Sequence, residues 1–84
     1  MKVGVIGSGY VGLVVATCFA EMGNNVICVD IDEQKILQLK QGVLPIYEPG
    51  LSELVLDKQK KGTLKFTINI QEALDFIDVL FMYY

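Results

Sequence analysis

Eighty-four residues allow one small domain, which buries a limited fraction of its surface and is marginal in stability without outside support. A hydrophobic share of 52% suits strands covered on both faces, while a net charge of −3 with no basic stripe argues against a nucleic-acid partner. Histidine is absent, which removes the commonest general base and metal ligand, and no metal site is expected.

Val3, Gly4, Val5 and Ile6 form a short apolar run, and a strand is expected over residues 2–6. It leads into Gly7-Ser8-Gly9-Tyr10-Val11-Gly12, a G-x-G-x-x-G spacing. The apolar, alanine-containing stretch that follows predicts a helix over 10–22, closed by Gly23 in a left-handed cap. A second apolar run predicts a strand over 25–29 that delivers Asp30 at its end. Between Met1 and Ala20 the only charge is Lys2, a pattern shared with export signals and membrane spans. Glycines, Ser8 and Tyr10 interrupt it at the short limit for spanning, so neither export nor a membrane partner is expected. Cys18 and Cys28 have no metal or C-x-x-C spacing, and both are expected as reduced core residues of a cytoplasmic protein.

Asp32 is placed to cap a helix over 33–41, whose apolar face would be Ile36, Leu39 and Val43, with Gly42 as its stop. Two prolines and a glycine make residues 44–50 an expected ordered loop. A third helix is expected over 49–60, with Pro49 in its first turn, Lys58, Lys60 and Lys61 near its negative end, and Gly62 after it. Residues 64–68 alternate apolar and polar, which predicts a half-exposed edge strand. Asn69 followed by Glu72 matches a capping pattern for a short helix through 76, and residues 78–82 predict a fourth strand before Tyr83-Tyr84. No internal repeat, low-complexity tract or linker is found.

Strands alternating with helices imply an α/β fold with a parallel sheet and right-handed crossovers. The expected architecture is a Rossmann-type doubly wound sheet of about four strands in the order 3-2-1-4. The alternating third strand would then be an edge. The fourth would flank the first across the crevice where a dinucleotide sits in such sheets.

That architecture gives the glycines a chemical reading. Gly7 would let the chain turn sharply out of the first strand, Gly9 would let a pyrophosphate approach the backbone, and Gly12 would let the helix pack closely on the sheet. The helix would aim its unpaired N–H groups and positive dipole end at the phosphates. Asp30 follows Gly12 by eighteen positions, near the usual interval of about 20, where a carboxylate accepts both ribose hydroxyls of an adenosine. It would repel a 2′-phosphate, and no arginine follows in Ile31-Asp32-Glu33, so NAD is favoured over NADP. The spacing alone is a weak signal, and its rival reading is a βαβ unit whose glycines serve packing only. Bracketed by strand and helix, with an acid closing the next strand, it is a strong one.

Four segments carry a resemblance: Gly7 through Leu13, Phe19-Ala20-Glu21-Met22-Gly23, Val29-Asp30-Ile31-Asp32 and Pro45-Ile46-Tyr47-Glu48-Pro49-Gly50-Leu51. Together they resemble the amino-terminal part of the UDP-glucose/GDP-mannose dehydrogenase family over residues 1–80. The Tyr-Val-Gly-Leu continuation and the Glu-Pro-Gly loop are more specific than the glycine pattern, and Tyr47 tilts the resemblance toward the UDP-glucose branch. The resemblance implies that Gly7, Gly9, Tyr10, Val11 and Gly12 line the NAD pyrophosphate, that Asp30 binds the adenosine ribose, and that Lys35 approaches the same ribose. The rival reading of Lys35 is an ordinary solvated lysine. Glu48 matches a family glutamate, but a carboxylate at a helix start is equally explained by the dipole and is not read as catalytic.

The family reaction is a two-step, NAD-dependent oxidation of the sugar C6 alcohol to a carboxylate through a thiol-linked intermediate, taking UDP-glucose to UDP-glucuronate. The family's nucleophilic cysteine and sugar-nucleotide domain have no counterpart in these residues, and Met82-Tyr83-Tyr84 replaces its Thr-Pro turn. The chain is therefore expected to be a partial NAD-binding domain, inactive alone, with the UDP-sugar bound only in a full-length enzyme. The alternatives are a free-standing nucleotide-binding module that works with a partner chain, a fragment of a GDP-mannose or UDP-N-acetylmannosamine dehydrogenase, and a non-functional remnant. Self-association through the apolar edge of the fourth strand is also expected.

Overall fold

The computed structural model describes residues 1–7, 9–43 and 50–82, Tyr10 by its backbone alone. Ser8, residues 44–49 of the loop expected over 44–50, with Tyr47, Glu48 and Pro49 among them, and Tyr83-Tyr84 lie outside the described residues. The elements run β1 (Lys2–Ile6), α1 (Tyr10–Glu21), β2 (Asn25–Val29), α2 (Glu33–Lys40), α3 (Leu51–Lys61), β3 (Leu64–Thr67), α4 (Ile70–Phe76) and β4 (Val79–Met82). The four strands form one parallel sheet in the order β3-β2-β1-β4, as the alternation of strands and helices predicts.

In α1, Leu13, Ala16, Thr17 and Ala20 are buried, a stripe at i, i+3, i+4 and i+7 that seats the helix on the sheet. The buried Thr17 hydroxyl is satisfied by donating to the Leu13 carbonyl at 2.7 Å. Gly23 takes φ +96°, its N–H donating to Ala20 and that of Asn24 to Phe19, both at 3.1 Å, which is a Schellman closure. Cys18 departs from the expectation of a core residue. It is exposed, because it falls off the 13-16-17-20 stripe of a helix that is apolar nearly all round.

The Asp32 carboxylate caps α2 by accepting the Lys35 N–H at 3.2 Å, and Ile36 and Leu39 are buried as their spacing predicts. Val43 is instead half exposed at 50%: α2 ends at Lys40 and Gly42 turns the chain at φ +85°, so the i+7 position no longer lies on the helix face. The third helix starts later than expected, at Leu51, with Gly50 left-handed before it, and Gly62 closes it at φ +77°. Lys58, its side chain 11% exposed, reaches Glu21 at 3.0 Å and ties α3 to α1.

β3 is an edge strand but stops at Thr67, leaving Ile68 exposed. The cause is local: the Asn69 N–H donates to the Thr67 hydroxyl at 3.1 Å, while Asn69 Oδ1 accepts from Gln71 and Glu72, which draws the chain out of the ladder into α4. Asp78 also stays outside β4 and clamps the start of β1, its N–H donating to the Lys2 carbonyl at 2.7 Å and its carboxylate accepting the Lys2 N–H at 3.0 Å.

The two sheet faces are covered unequally. Val3, Val5, Val26, Cys28, Leu64 and Phe66 pack with α1, α2 and α3, and Phe81 of β4 stacks on Phe19 of α1 at 5.1 Å between centroids. The opposite face is covered by α4, with Ile27, Val29 and Ala73 at its centre and Ile6, Phe76 and Ile77 around them. Among the described residues no helix is long and apolar enough to cross a membrane.

Candidate dinucleotide site

β1 and β2 end together, since Ile6 pairs with Val29 in the parallel register. The next residues, Gly7 and Asp30, therefore leave the sheet side by side at its carboxyl end. Gly7 turns at φ +104°, a conformation only glycine adopts without strain, and its N–H donates to the Val29 carbonyl at 2.7 Å. Ile6 also pairs with Met82, so the end of β4 lies on the other side of the same opening. α1 covers one face of the sheet and α4 the other, which makes the β1–β4 seam the place where the winding reverses.

Gly9 caps α1 with φ −67° and ψ −177°, and it has no side chain to accept the first-turn N–H groups. The first turn carries no acidic residue either. Tyr10 begins the helix, Val11 is 56% exposed beside it, and Gly12 is buried. A Cβ built on Gly9 would meet no heavy atom within 4 Å among the described residues. Neither the backbone conformation nor packing against those residues requires glycine at this position. What its small size preserves is open space in front of the helix.

Asp30 is half-buried. Its N–H donates to the Thr67 carbonyl at 3.2 Å, and its Oδ1 accepts the Asp32 N–H at 2.9 Å, an Asx-turn that fixes the carboxylate against the start of α2. Lys35, half-buried, sits in the first turn of that helix, so α2 brings it to the same end of the sheet. Thus Gly7 after β1, Gly9, Tyr10, Val11 and Gly12 at the head of α1, Asp30 after β2 and Lys35 in the first turn of α2 all lie at the carboxyl end of the sheet. Surface hollows occur elsewhere, between α2 and Ile68 and beneath α4 beside Lys65 and Phe76, and neither includes the glycine turn.

Two contacts at this site are not evident in the sequence. The Cys28 thiol donates to the Gly7 carbonyl at 3.8 Å, and Thr67 holds the Asp30 amide. Burial, with the Asp30 charge adding to it, pushes the Cys28 thiol up to about 12, so it stays protonated and unreactive. Among the described residues no group of histidine, cysteine or carboxylate side chains could hold a metal ion.

A parallel sheet wound in this order, with an open-fronted helix at its switch point and an acid closing the neighbouring strand, is a dinucleotide-binding domain. Comparison with known proteins sharpens the class. The model of the UDP-glucose/GDP-mannose dehydrogenase family, NAD binding domain, matches residues 1–83, and the chain belongs to that family. It is 54% identical over 81 residues to a UDP-glucose 6-dehydrogenase of Bacillus subtilis, covering 96% of this chain and 18% of that protein. It is 50% identical over 82 residues to a UDP-glucose 6-dehydrogenase of Rhizobium meliloti, covering 98% of this chain and 19% of that one. Its fold superposes with a TM-score of 0.94 on a crystal structure of a ternary complex of GDP-mannose dehydrogenase from Pseudomonas aeruginosa, at 38% identity, over 100% of this chain and 19% of that one. The chain therefore spans less than a fifth of the length of these relatives.

Proposed function

We propose that this chain forms the cofactor cradle of an NAD-dependent UDP-glucose 6-dehydrogenase, an oxidoreductase that converts UDP-glucose to UDP-glucuronate with two NAD. The observation that carries the reading is the open space in front of Gly9, which no contact among the described residues accounts for. The first-turn N–H groups of Tyr10, Val11 and Gly12, with the helix dipole, suit the pyrophosphate, and Gly7 sets the turn that aims them. Asp30 accepts the hydroxyls of the adenosine ribose, and Lys35 lies close enough in the chain to approach the same sugar. NAD, when bound, would accept hydride from C6 of the sugar. The residues here bind and orient the cofactor, and no catalytic group is assigned among them. Preference for UDP-glucose over GDP-mannose rests on identities of 54% and 50% to two UDP-glucose 6-dehydrogenases against 45% to a GDP-mannose 6-dehydrogenase of Azotobacter vinelandii. The two free cysteines suit a cytoplasmic setting.

The test is calorimetric titration with NAD and NADP. A 2′-phosphate would bring negative charge onto the Asp30 carboxylate, and the chain contains no arginine to offset it, so NAD should bind at least about tenfold more tightly. Asp30→Asn should weaken NAD and narrow the gap. Equal affinities of the unmodified chain for the two dinucleotides would remove the ribose role of Asp30.

We further propose self-association through β4. Among the described residues its outer edge has no strand partner, and Val79, Leu80 and Met82 are 37%, 37% and 53% exposed. Light scattering should find species larger than the 9.3 kDa monomer, and Met82→Lys should reduce them. A monodisperse monomer at high concentration with a cooperative thermal transition would end this idea.

A further inference from the structure

β2 holds Gly7 at both of its backbone polar groups. The Gly7 N–H donates to the Val29 carbonyl at 2.7 Å, and the Gly7 carbonyl accepts the Cys28 thiol at 3.8 Å. The two anchors are consecutive residues of one strand, and between them Gly7 is fixed at φ +104°. Cys28 is fully buried and free, packed in the core beneath α1. Nothing in the cofactor reading so far uses its sulfur.

We propose that Cys28 is a positioning residue for the cofactor site, its S–H fixing the Gly7 carbonyl and so the path of the glycine turn. A peptide unit is planar, so holding this carbonyl sets the direction in which the chain leaves β1 for Gly9 and the head of α1. The inference rests on the NAD reading of that turn. The thiol is suited to the task because it remains a donor throughout the working pH range, held protonated by burial and by the Asp30 charge. An S–H donor is weak, but its acceptor is the one residue whose unusual backbone angle the phosphate site requires.

Three variants separate positioning from packing: Cys28→Ala, Cys28→Ser and Val26→Ala. Val26 is buried on the same strand and the same core face, two residues farther from the turn. Cys28→Ala should weaken NAD binding about two- to fivefold, the worth of one weak hydrogen bond, and displace the Gly7 carbonyl carbon resonance. Cys28→Ser keeps a hydroxyl, but its shorter C–O bond sets that donor farther from the carbonyl than the sulfur stands, so it should recover neither readout fully. Val26→Ala removes more volume and should lower the melting temperature while leaving NAD affinity unchanged. Cys28→Ala binding NAD as tightly as the original, or Val26→Ala losing as much affinity as Cys28→Ala, would overturn the proposal. If the original chain binds no NAD, the cofactor reading falls and the carbonyl resonance alone decides the thiol link. An unchanged resonance in Cys28→Ala then refutes the link, and one displaced in Cys28→Ala but unmoved in Val26→Ala upholds it.

Discussion

Gly9→Ala should abolish or sharply weaken NAD binding, by at least about tenfold, while leaving the fold nearly as stable as before. The backbone at Gly9 is extended at φ −67°, which alanine adopts readily, and the added Cβ would touch none of the described residues within 4 Å. Alanine is a poorer helix cap than glycine, but it also reduces the freedom of the unfolded chain, and these small terms oppose one another to within about 0.5 kcal/mol. The methyl group would instead occupy the space that the proposed cofactor cradle gives to the pyrophosphate, before the first turn of α1. Calorimetric titration with NAD and a thermal melt, made on the same sample, check both halves. Retained affinity would mean that the dinucleotide lies elsewhere. A large loss of stability would mean that Gly9 serves the fold.

Gly4→Ala should do the reverse, unsettling the fold without touching the phosphate turn. Gly4 lies mid-strand in β1, beneath the side chains that lead into β4. A Cβ there would stand 2.9 Å from both Cδ1 and Cγ2 of Ile77 and 3.2 Å from Cδ1 of Leu80. Rotation about χ2 moves only Cδ1, so clearing Cγ2 as well requires Ile77 to change χ1 or shift as a whole, which disturbs its packing beside the β1–β4 seam. Overpacking of this kind costs about 1–3 kcal/mol, and in a domain of this size each kcal/mol lowers the melting temperature by about 4–8 °C. Gly4→Val should cost more. Thermal unfolding followed by circular dichroism measures the effect, and an unchanged midpoint for Gly4→Val would show that the Ile77 contact yields freely.

The order and type of the elements are legible in the sequence because each boundary carries its own chemistry. Gly23 and Gly62 take left-handed backbone where helices end, and Asp32 and Asn69 supply the carboxylate and amide oxygens that start α2 and α4. The glycine turn is legible for a related reason: its members are contiguous, and Asp30 closes the next apolar run. What the sequence hides depends on direction or register. Whether Cys18 points inward is a question of helix phase, and a helix as uniformly apolar as α1 offers no contrast from which to read it. Val43 keeps the right spacing but follows a turn that cancels the period. The Cys28–Gly7 contact spans 21 positions, and it becomes visible only once Val5 is known to pair with Cys28. The Thr67–Asp30 contact depends in the same way on how β3 aligns with β2.

The Lys2–Asp78 clamp joins residues 76 positions apart, whereas β2, the other neighbour of β1, begins at Asn25. On a ribosome the first strand is made first and can pair early with β2 through the α1 crossover, a short closure. Its second edge must wait until β4, Val79–Met82, has emerged. During that interval one side of Val3, Gly4, Val5 and Ile6 is open to whatever strand comes near, including the same segment of a neighbouring nascent chain. The glycine turn is already tied to β2 in this half-built state, through Val29 and Cys28. The end of the molecule that carries the glycine turn can therefore take shape during synthesis while the seam beside it is still unmade.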